Sequence, residues 1–226
     1  MNLDRSDWKF DSEVATDFDS HVKQSVPLYD EIHSLIVKMS EWFLEDNTNM
    51  YDIGTSTAKA LKGIYKSSNK DVNYIGIDNS EDMLSEIGLE WKDKFELITS
   101  DVQDIDIHNA SYITSVLTLQ FIPERDRQSI INNIYKGLNK GGAFVLVEKV
   151  LGNSSQINSL WEGLYHDMKL ENGLSKHHVI DKQRSIRGVM KPLTLNENRD
   201  MIREAGFKKQ EEFFKWGNFV GFIAIK

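Results

Sequence analysis

The stretch Asn49-Met50-Tyr51-Asp52-Ile53-Gly54-Thr55-Ser56-Thr57-Ala58 reads as a strand, a sharp turn and the entry to a helix. Asp52 stands at the strand's end and Gly54 at the turn. Only small residues follow, before the helical pattern of Lys59 to Tyr65. Glycine carries no Cβ and the small side chains leave room, so a ligand can approach the backbone here. A second strand, Tyr74-Ile75-Gly76-Ile77, ends in Asp78-Asn79, and a third, Phe95 to Thr99, ends at Ser100-Asp101-Val102. An acidic residue after the second strand is the ribose-diol acceptor of the Rossmann-like plan, in which ligands lie across the carboxyl ends of strands. The three-glycine fingerprint is absent, with Ser56 and Ala58 in the glycine places. It is the acidic ends on successive strands that predict a nucleoside-containing cofactor.

Working outward, residues 1–45 predict two N-terminal helices. An aromatic arm with Trp8 and Phe10 leads into a helix to Ser25, capped by Asp11 or Ser12, with Val14, Phe18 and Val22 at helical spacing. Pro27 then sits near the first turn of a helix from Tyr29 to Leu44. Ile32, Leu35, Ile36, Met39, Trp42 and Phe43 form its expected core stripe, and Tyr29 is placed to point over a pocket. Downstream, Ser80 caps a helix to about Gly88, and Ser111 to Leu117 is a fourth strand. A helix from Pro123 to Leu138 is expected to stop at Asn139-Lys140-Gly141-Gly142. Ala143 to Glu148 is the near-continuous apolar run of a buried parallel strand. Such alternation indicates right-handed βαβ units in one doubly wound α/β domain. Residues 152–191 break the alternation with two polar helical segments, Ser155 to Glu171 and Lys176 to Arg187, expected as a lid over the cofactor edge. A helix from Asn196 to Ala205 and a hairpin, Phe207 to Trp216 and Asn218 to Ile225, close the chain. A terminal antiparallel hairpin favours a methyltransferase-type sheet over a dehydrogenase.

The 226 residues carry a net charge of -8, which disfavours broad nucleic-acid binding. There is no cysteine, so thiolate nucleophiles and cysteine-ligated metals are excluded. No apolar run approaches a membrane span and the first residues lack a signal-peptide core, so a cytoplasmic protein is expected. His166, His177 and His178 read as lid or surface residues rather than a metal site. Asp104, Asp106, Glu148 and Asp167 could act as general bases, although nothing in the sequence pairs them. Arg184 and Arg187, with Lys182, are candidates for an anionic substrate, because guanidinium forks bind carboxylates bidentately.

From about Phe10 to Ala224 the chain resembles the carboxy-S-adenosylmethionine synthases of the tRNA wobble-uridine modification pathway. The resemblance rests on Gln24-Ser25-Val26-Pro27-x-Tyr29, Tyr51-Asp52-x-Gly54-x-Ser56, Ile77-Asp78-Asn79-Ser80 and Thr118-Leu119-Gln120-Phe121. It continues through Ile134-Tyr135-x-Gly137-Leu138-Asn139-x-Gly141-Gly142, His166-Asp167-x-Lys169, Asn172-Gly173-x-Ser175 and Arg184-Ser185. It implies a methyltransferase-like fold, a homodimer, and carboxylation of the methyl group of S-adenosylmethionine by prephenate, giving carboxy-S-adenosylmethionine and phenylpyruvate. It further implies that Gly54, Thr55 and Ser56 line the methionine and ribose portion, that Asp78 and Asn79 hold the ribose, and that Asp101 and Val102 contact the adenine. Tyr29 and Arg184 would close over the sulfonium end, with Arg184 on the new carboxylate. Val116 stands at the fourth-strand cofactor position where the family usually has Asn. A sulfonium ylide must meet carbon dioxide before water quenches it, which a closed, dry lid would allow. The competing readings are a conventional S-adenosylmethionine-dependent methyltransferase and a non-catalytic cofactor-binding relative.

Overall fold

The computed structural model describes residues 12–226, with side chains from Phe18 onward. Trp8, Phe10, Asp11 and the side chains of Ser12 and Val14 lie outside the described residues. In chain order the elements are α1 (Ser12–Ser25), α2 (Tyr29–Ser40), β1 (Thr48–Ile53), α3 (Lys59–Ser67), β2 (Val72–Asp78), α4 (Glu81–Ser85), α5 (Leu89–Lys92) and β3 (Glu96–Thr99). They continue with β4 (Ala110–Val116), α6 (Glu124–Gly137), β5 (Leu138–Lys149), α7 (Ser155–Glu171), α8 (Lys176–Ser185), α9 (Leu195–Glu204), β6 (Lys209–Trp216) and β7 (Phe219–Ile225).

The strands form one seven-stranded sheet in the order β3-β2-β1-β4-β5-β7-β6. β1 to β5 are parallel, while β7 runs antiparallel to β5 and β6 antiparallel to β7. Alternate side chains face opposite layers, as the pleat requires. Phe144 and Leu146 of β5 join Ile130, Ile131 and Ile134 of α6 on one face. Ala143, Val145 and Val147 join Ile32 and Ile36 of α2 and Leu61 and Ile64 of α3 on the other. Burial on both faces explains why β5 reads as a continuous apolar run. The strand order reverses at β1, and both β2 and β4 pair with it, which opens the crevice where ligands bind in such sheets.

Two expectations need correction. The core stripe of α2 does not include Leu35 and Trp42, which are 40% and 86% exposed. The helix ends at Ser40, so the helical period does not carry to Trp42, and the buried face of α2 runs through Tyr29, Ile32, His33, Ile36 and Ser40 instead. Asn139 to Gly142 is not a separate turn either. β5 begins at Leu138, directly after α6, with Gly141 at φ +87° where the register to β4 shifts. The cap at Ser80 is as expected, its hydroxyl accepting from the Met83 N–H at 3.2 Å.

The segment after β5 departs from the sheet as α7 and α8. Serines cap both: Ser154 accepts from the Ile157 N–H, and Ser175 from the His178 N–H. Gln24 and Asn172 exchange side-chain to backbone bonds of 3.2 and 3.1 Å, fixing the end of α7 to the end of α1. The lid and the N-terminal helices therefore form one wall over the carboxyl ends of the strands.

Candidate active site

A cavity of about 1480 Å³ lies over those strand ends and runs beneath α7 and α8. Its floor begins at the 54–58 loop. Gly54 has φ +70°, and a Cβ there would stand 2.2 Å from Thr118 Oγ1. The turn between β1 and α3 is thus pressed against the loop after β4. Ser56 and Ala58 also have positive φ, +52° and +61°. Such strain is uncommon for residues with a Cβ and concentrates at functional loops. The Ser56 Oγ is buried with no hydrogen-bond partner, as are both ring nitrogens of His33 and the Oδ1 of Asn218. All three residues line the cavity. Orphaned polar atoms around one void are what a polar ligand would satisfy.

Three carboxylates serve three purposes. Asp52 is buried, accepts from Thr55 Oγ1 at 2.8 Å and Thr114 Oγ1 at 2.6 Å, and is pushed up to about 6 by burial. It ties β1 to β4. Half-buried Asp78 accepts backbone N–H bonds from Ser56 and Ser80, both at 2.9 Å, so it braces the Gly54 loop from β2. Burial raises its pKa and those two bonds oppose the rise. Asp101 is exposed and accepts from Asn79 Nδ2 at 2.8 Å, joining the loops after β2 and β3. Gly54, Thr55, Ser56, Asp78, Asn79, Asp101, Val102, Val116 and Tyr29 all line the cavity. The structure brings these predicted residues together as one surface, with an apolar strip at Val102, Val116 and Leu117 beside the acidic groups.

Tyr29 is buried, its ring edge-on to His33 at 4.5 Å and covered by Lys59 Nζ at 4.1 Å. Lys59 also pairs with Asp30. Arg184 is not brought to this surface. It is exposed on α8 and does not line the cavity, whereas Arg187 and Lys182 do. The physical reason is the end of α8 at Ser185, after which the Arg187 N–H turns back to the Arg184 carbonyl at 3.3 Å. Asp104, Asp106 and Asp167 are exposed and outside the lining. Glu148 is buried and accepts the N–H groups of Leu119 and Gln120 at 3.0 and 2.9 Å, holding the turn that follows Thr118. Burial raises it to about 8.

The lid side of the cavity carries Lys182, named with the arginines as an anion candidate, and two cations, Lys149 and Lys169, to which the sequence reading gave no role. Lys149 ends β5, Lys169 lies on α7 and Lys182 on α8, and burial lowers each to about 8. His21 lines the same wall, lowered to about 4 by burial, then by Lys182, His178 and Lys169. Their signal in the sequence was weak: a lysine just past an apolar strand, and another amid a helix of ordinary polarity. His177 pairs with Asp181 at 3.2 Å on the exposed face of α8. Among the described residues no group of three or more histidines, aspartates or glutamates is placed to hold a metal ion.

A methyltransferase-domain family model matches residues 50–142, the span from β1 into β5. A putative S-adenosyl-L-methionine-dependent methyltransferase from Methanococcus maripaludis matches with a TM-score of 0.63 at 17% identity, covering 100% of this chain and 97% of that one. Sheet order, terminal hairpin and acidic strand ends together define a methyltransferase-fold protein with a nucleoside-type cleft. Over 229 residues, spanning 100% of both chains, the sequence is 51% identical to the carboxy-S-adenosyl-L-methionine synthase of Staphylococcus epidermidis. It is 37% identical over 227 residues to that of Methylococcus capsulatus, covering 97% and 94% of the two chains. The chain belongs to the carboxy-S-adenosyl-L-methionine synthase family.

Proposed function

We propose that this chain is a carboxy-S-adenosylmethionine synthase, converting S-adenosylmethionine and prephenate to carboxy-S-adenosylmethionine and phenylpyruvate. The observation that carries the reading is full-length identity of 51% to a synthase of that name, lid included. The cavity supports it, because it continues from an acidic, diol-binding edge into a wall of lysines. A methyl donor alone makes no use of such a wall.

The residues present fit the nucleoside. Asp78 keeps lone pairs for the ribose hydroxyls while its backbone bonds fix its direction. Val102 offers an apolar face for the adenine, and the Gly54 turn admits the methionine portion. Bound S-adenosylmethionine supplies a methyl group made acidic by the adjacent sulfonium. In the net reaction the ring carbon–carboxyl bond of prephenate breaks and its electron pair aromatises the ring, expelling hydroxide. The hydroxide takes one methyl proton and leaves as water, and the methylene carbon forms its new bond to the released carbon dioxide. Atoms and charge balance without an outside oxidant. Tyr29, His33 and the lid exclude bulk water from this exchange.

The proposal includes a homodimeric, cytoplasmic enzyme serving tRNA wobble-uridine modification, on the strength of the family resemblance, with no direct nucleic-acid contact. No helix among the described residues is long and apolar enough to cross a membrane. The test is mass spectrometry of the nucleoside retained after purified protein is incubated with S-adenosylmethionine and prephenate. A mass gain of one carboxyl group is expected, and recovery of unmodified S-adenosylmethionine alone overturns the reading. Arg184 carries a second test. If it meets the new carboxylate after α8 rearranges, Arg184→Ala loses the carboxylated nucleoside and keeps S-adenosylmethionine. Equal loss of both contradicts that role.

A further inference from the structure

The half of the cavity beyond β4 holds charges outside the residues assigned above to the cofactor. Lys149 Nζ stands 4.4 Å from the centre of the Tyr165 ring and Lys169 Nζ 4.2 Å from the same centre. Tyr165 and Lys169 are 8% and 7% exposed. Among the described residues neither lysine forms an ion pair with a carboxylate. Lys169 is buried and Lys149 half-buried, with the Glu162 charge in part favouring the Lys149 ammonium, and cation–π attraction recovers only a small part of the hydration each has lost. Both lysines line the cavity, and Lys169 also feels the charge of Lys182. Two such groups on one ring make a preformed anion site.

Sheet order says which anion. The diol acceptor Asp78 is on β2, the turn for the amino-acid end follows β1, and Lys149 ends β5. Adjacent strands are ~4.8 Å apart, so β2 and β5 are separated by about 14 Å. A nucleoside spread from β3 to β1 leaves its reactive end facing β4 and β5, with the lysines past it. The cavity also exceeds the roughly 300–1,000 Å³ of an ordinary ligand pocket, which leaves room for a second molecule.

Chemistry then separates the two carboxylates of the donor. One leaves as carbon dioxide and must shed its charge in the transition state. An ammonium bound to it would stabilise the starting state more than the transition state and slow the reaction. The other, on the keto-acid arm, keeps its charge throughout and can be held tightly without that penalty. We propose that Lys149 and Lys169, seated on Tyr165, bind the keto-acid carboxylate that stays on the product, and so aim the departing carboxyl at the cofactor. This rests on the reading that prephenate is the carboxyl donor.

The product retains that carboxylate, so phenylpyruvate is the probe. Calorimetric titration of the S-adenosylmethionine-loaded protein should detect its binding. Lys149→Met and Lys169→Met should each weaken it at least tenfold, with Lys169→Arg closer to wild type. S-Adenosylmethionine affinity should change less than twofold, and the KM for prephenate should rise more than kcat falls. Lys149→Gln and Lys169→Gln, with thermal unfolding as a fold check, stand in should a methionine variant not fold. Phenylpyruvate affinity unchanged in the variants, no binding by the wild type, or parallel loss of S-adenosylmethionine would each overturn the assignment. Wild-type protein that binds phenylpyruvate through these lysines yet makes no carboxylated nucleoside from prephenate would remove the proposed reaction and leave the keto-acid site standing.

Discussion

Lys169 illustrates how a single residue trades stability for a site. The residue is 7% exposed and its pKa is lowered to about 8, first by burial and then by Lys149 and Lys182. A lysine in the unfolded chain titrates at ~10.4, so folding shifts the balance towards the neutral form while leaving the group mostly charged at pH 7. The sign follows: the cost is fully present below about pH 8 and is relieved as pH rises from there towards the unfolded value. Lys169→Met should therefore raise the melting temperature of the ligand-free protein at pH 7, at about 2–4 °C per kcal/mol relieved. The gain should shrink by pH 10. Thermal unfolding of both proteins at the two pH values checks this, and a lower melting temperature for the variant at pH 7 would show that Tyr165 and neighbouring groups already compensate the charge. The same titration bears on function. With Lys149, Lys182 and Lys169 all near 8 and facing Glu162, His166, His21 and Asp181, affinity for a carboxylate donor should fall as pH rises through 8.

Among the elements, the 54–58 loop was the most legible and still needed its partners to be understood. Its small residues announced a close approach, but the neighbour that requires Gly54 is Thr118, from a loop sixty-odd residues away in sequence and adjacent only because β4 pairs with β1. A methyl group 2.2 Å from Thr118 Oγ1, at φ +70°, cannot be absorbed without moving one loop. Gly54→Ala should cost at least ~2 kcal/mol in urea unfolding and weaken S-adenosylmethionine further by displacing Ser56 and Asp78. Gly54→Ala combined with Thr118→Ser should recover little, since the hydroxyl oxygen is the nearest atom and remains. Asp52, which the sequence places at the end of β1, is mainly a brace, its oxygens taken by Thr55 and Thr114. Hydroxyl partners on other strands cannot be read from a local pattern. The end of α8 was misjudged for a similar reason: both arginines lie on one helical segment in sequence, but the helix stops between them and only Arg187 reaches the cavity.

For the molecule as a whole, the proposed homodimer finds support on the outer face of the lid. Ile157, Leu160 and Leu164 of α7 are 40%, 50% and 45% exposed at spacings of one helical stripe, and Ile180 of α8 is 46% exposed. Leu160→Glu should yield a monomer in sedimentation equilibrium while the fold is kept, and an unchanged mass for the variant would place any dimer contact elsewhere. Two parallel layers around a switch-point sheet, the cofactor edge and the existence of a lid were determined by the sequence itself, because burial on both strand faces, helical periods and acidic strand ends are local signals. Tertiary structure alone decided which side of each helix is wet, that Arg184 stands outside while Arg187 lines the cavity, and that lysines from β5, α7 and α8 converge on Tyr165 and its cavity. Those facts depend on where distant segments meet in space, and a charge acquires its chemical role from the neighbours that remove its water. Asp52 to Ala58 could therefore be read along the chain, whereas the lysine wall exists only once the lid has folded over the sheet.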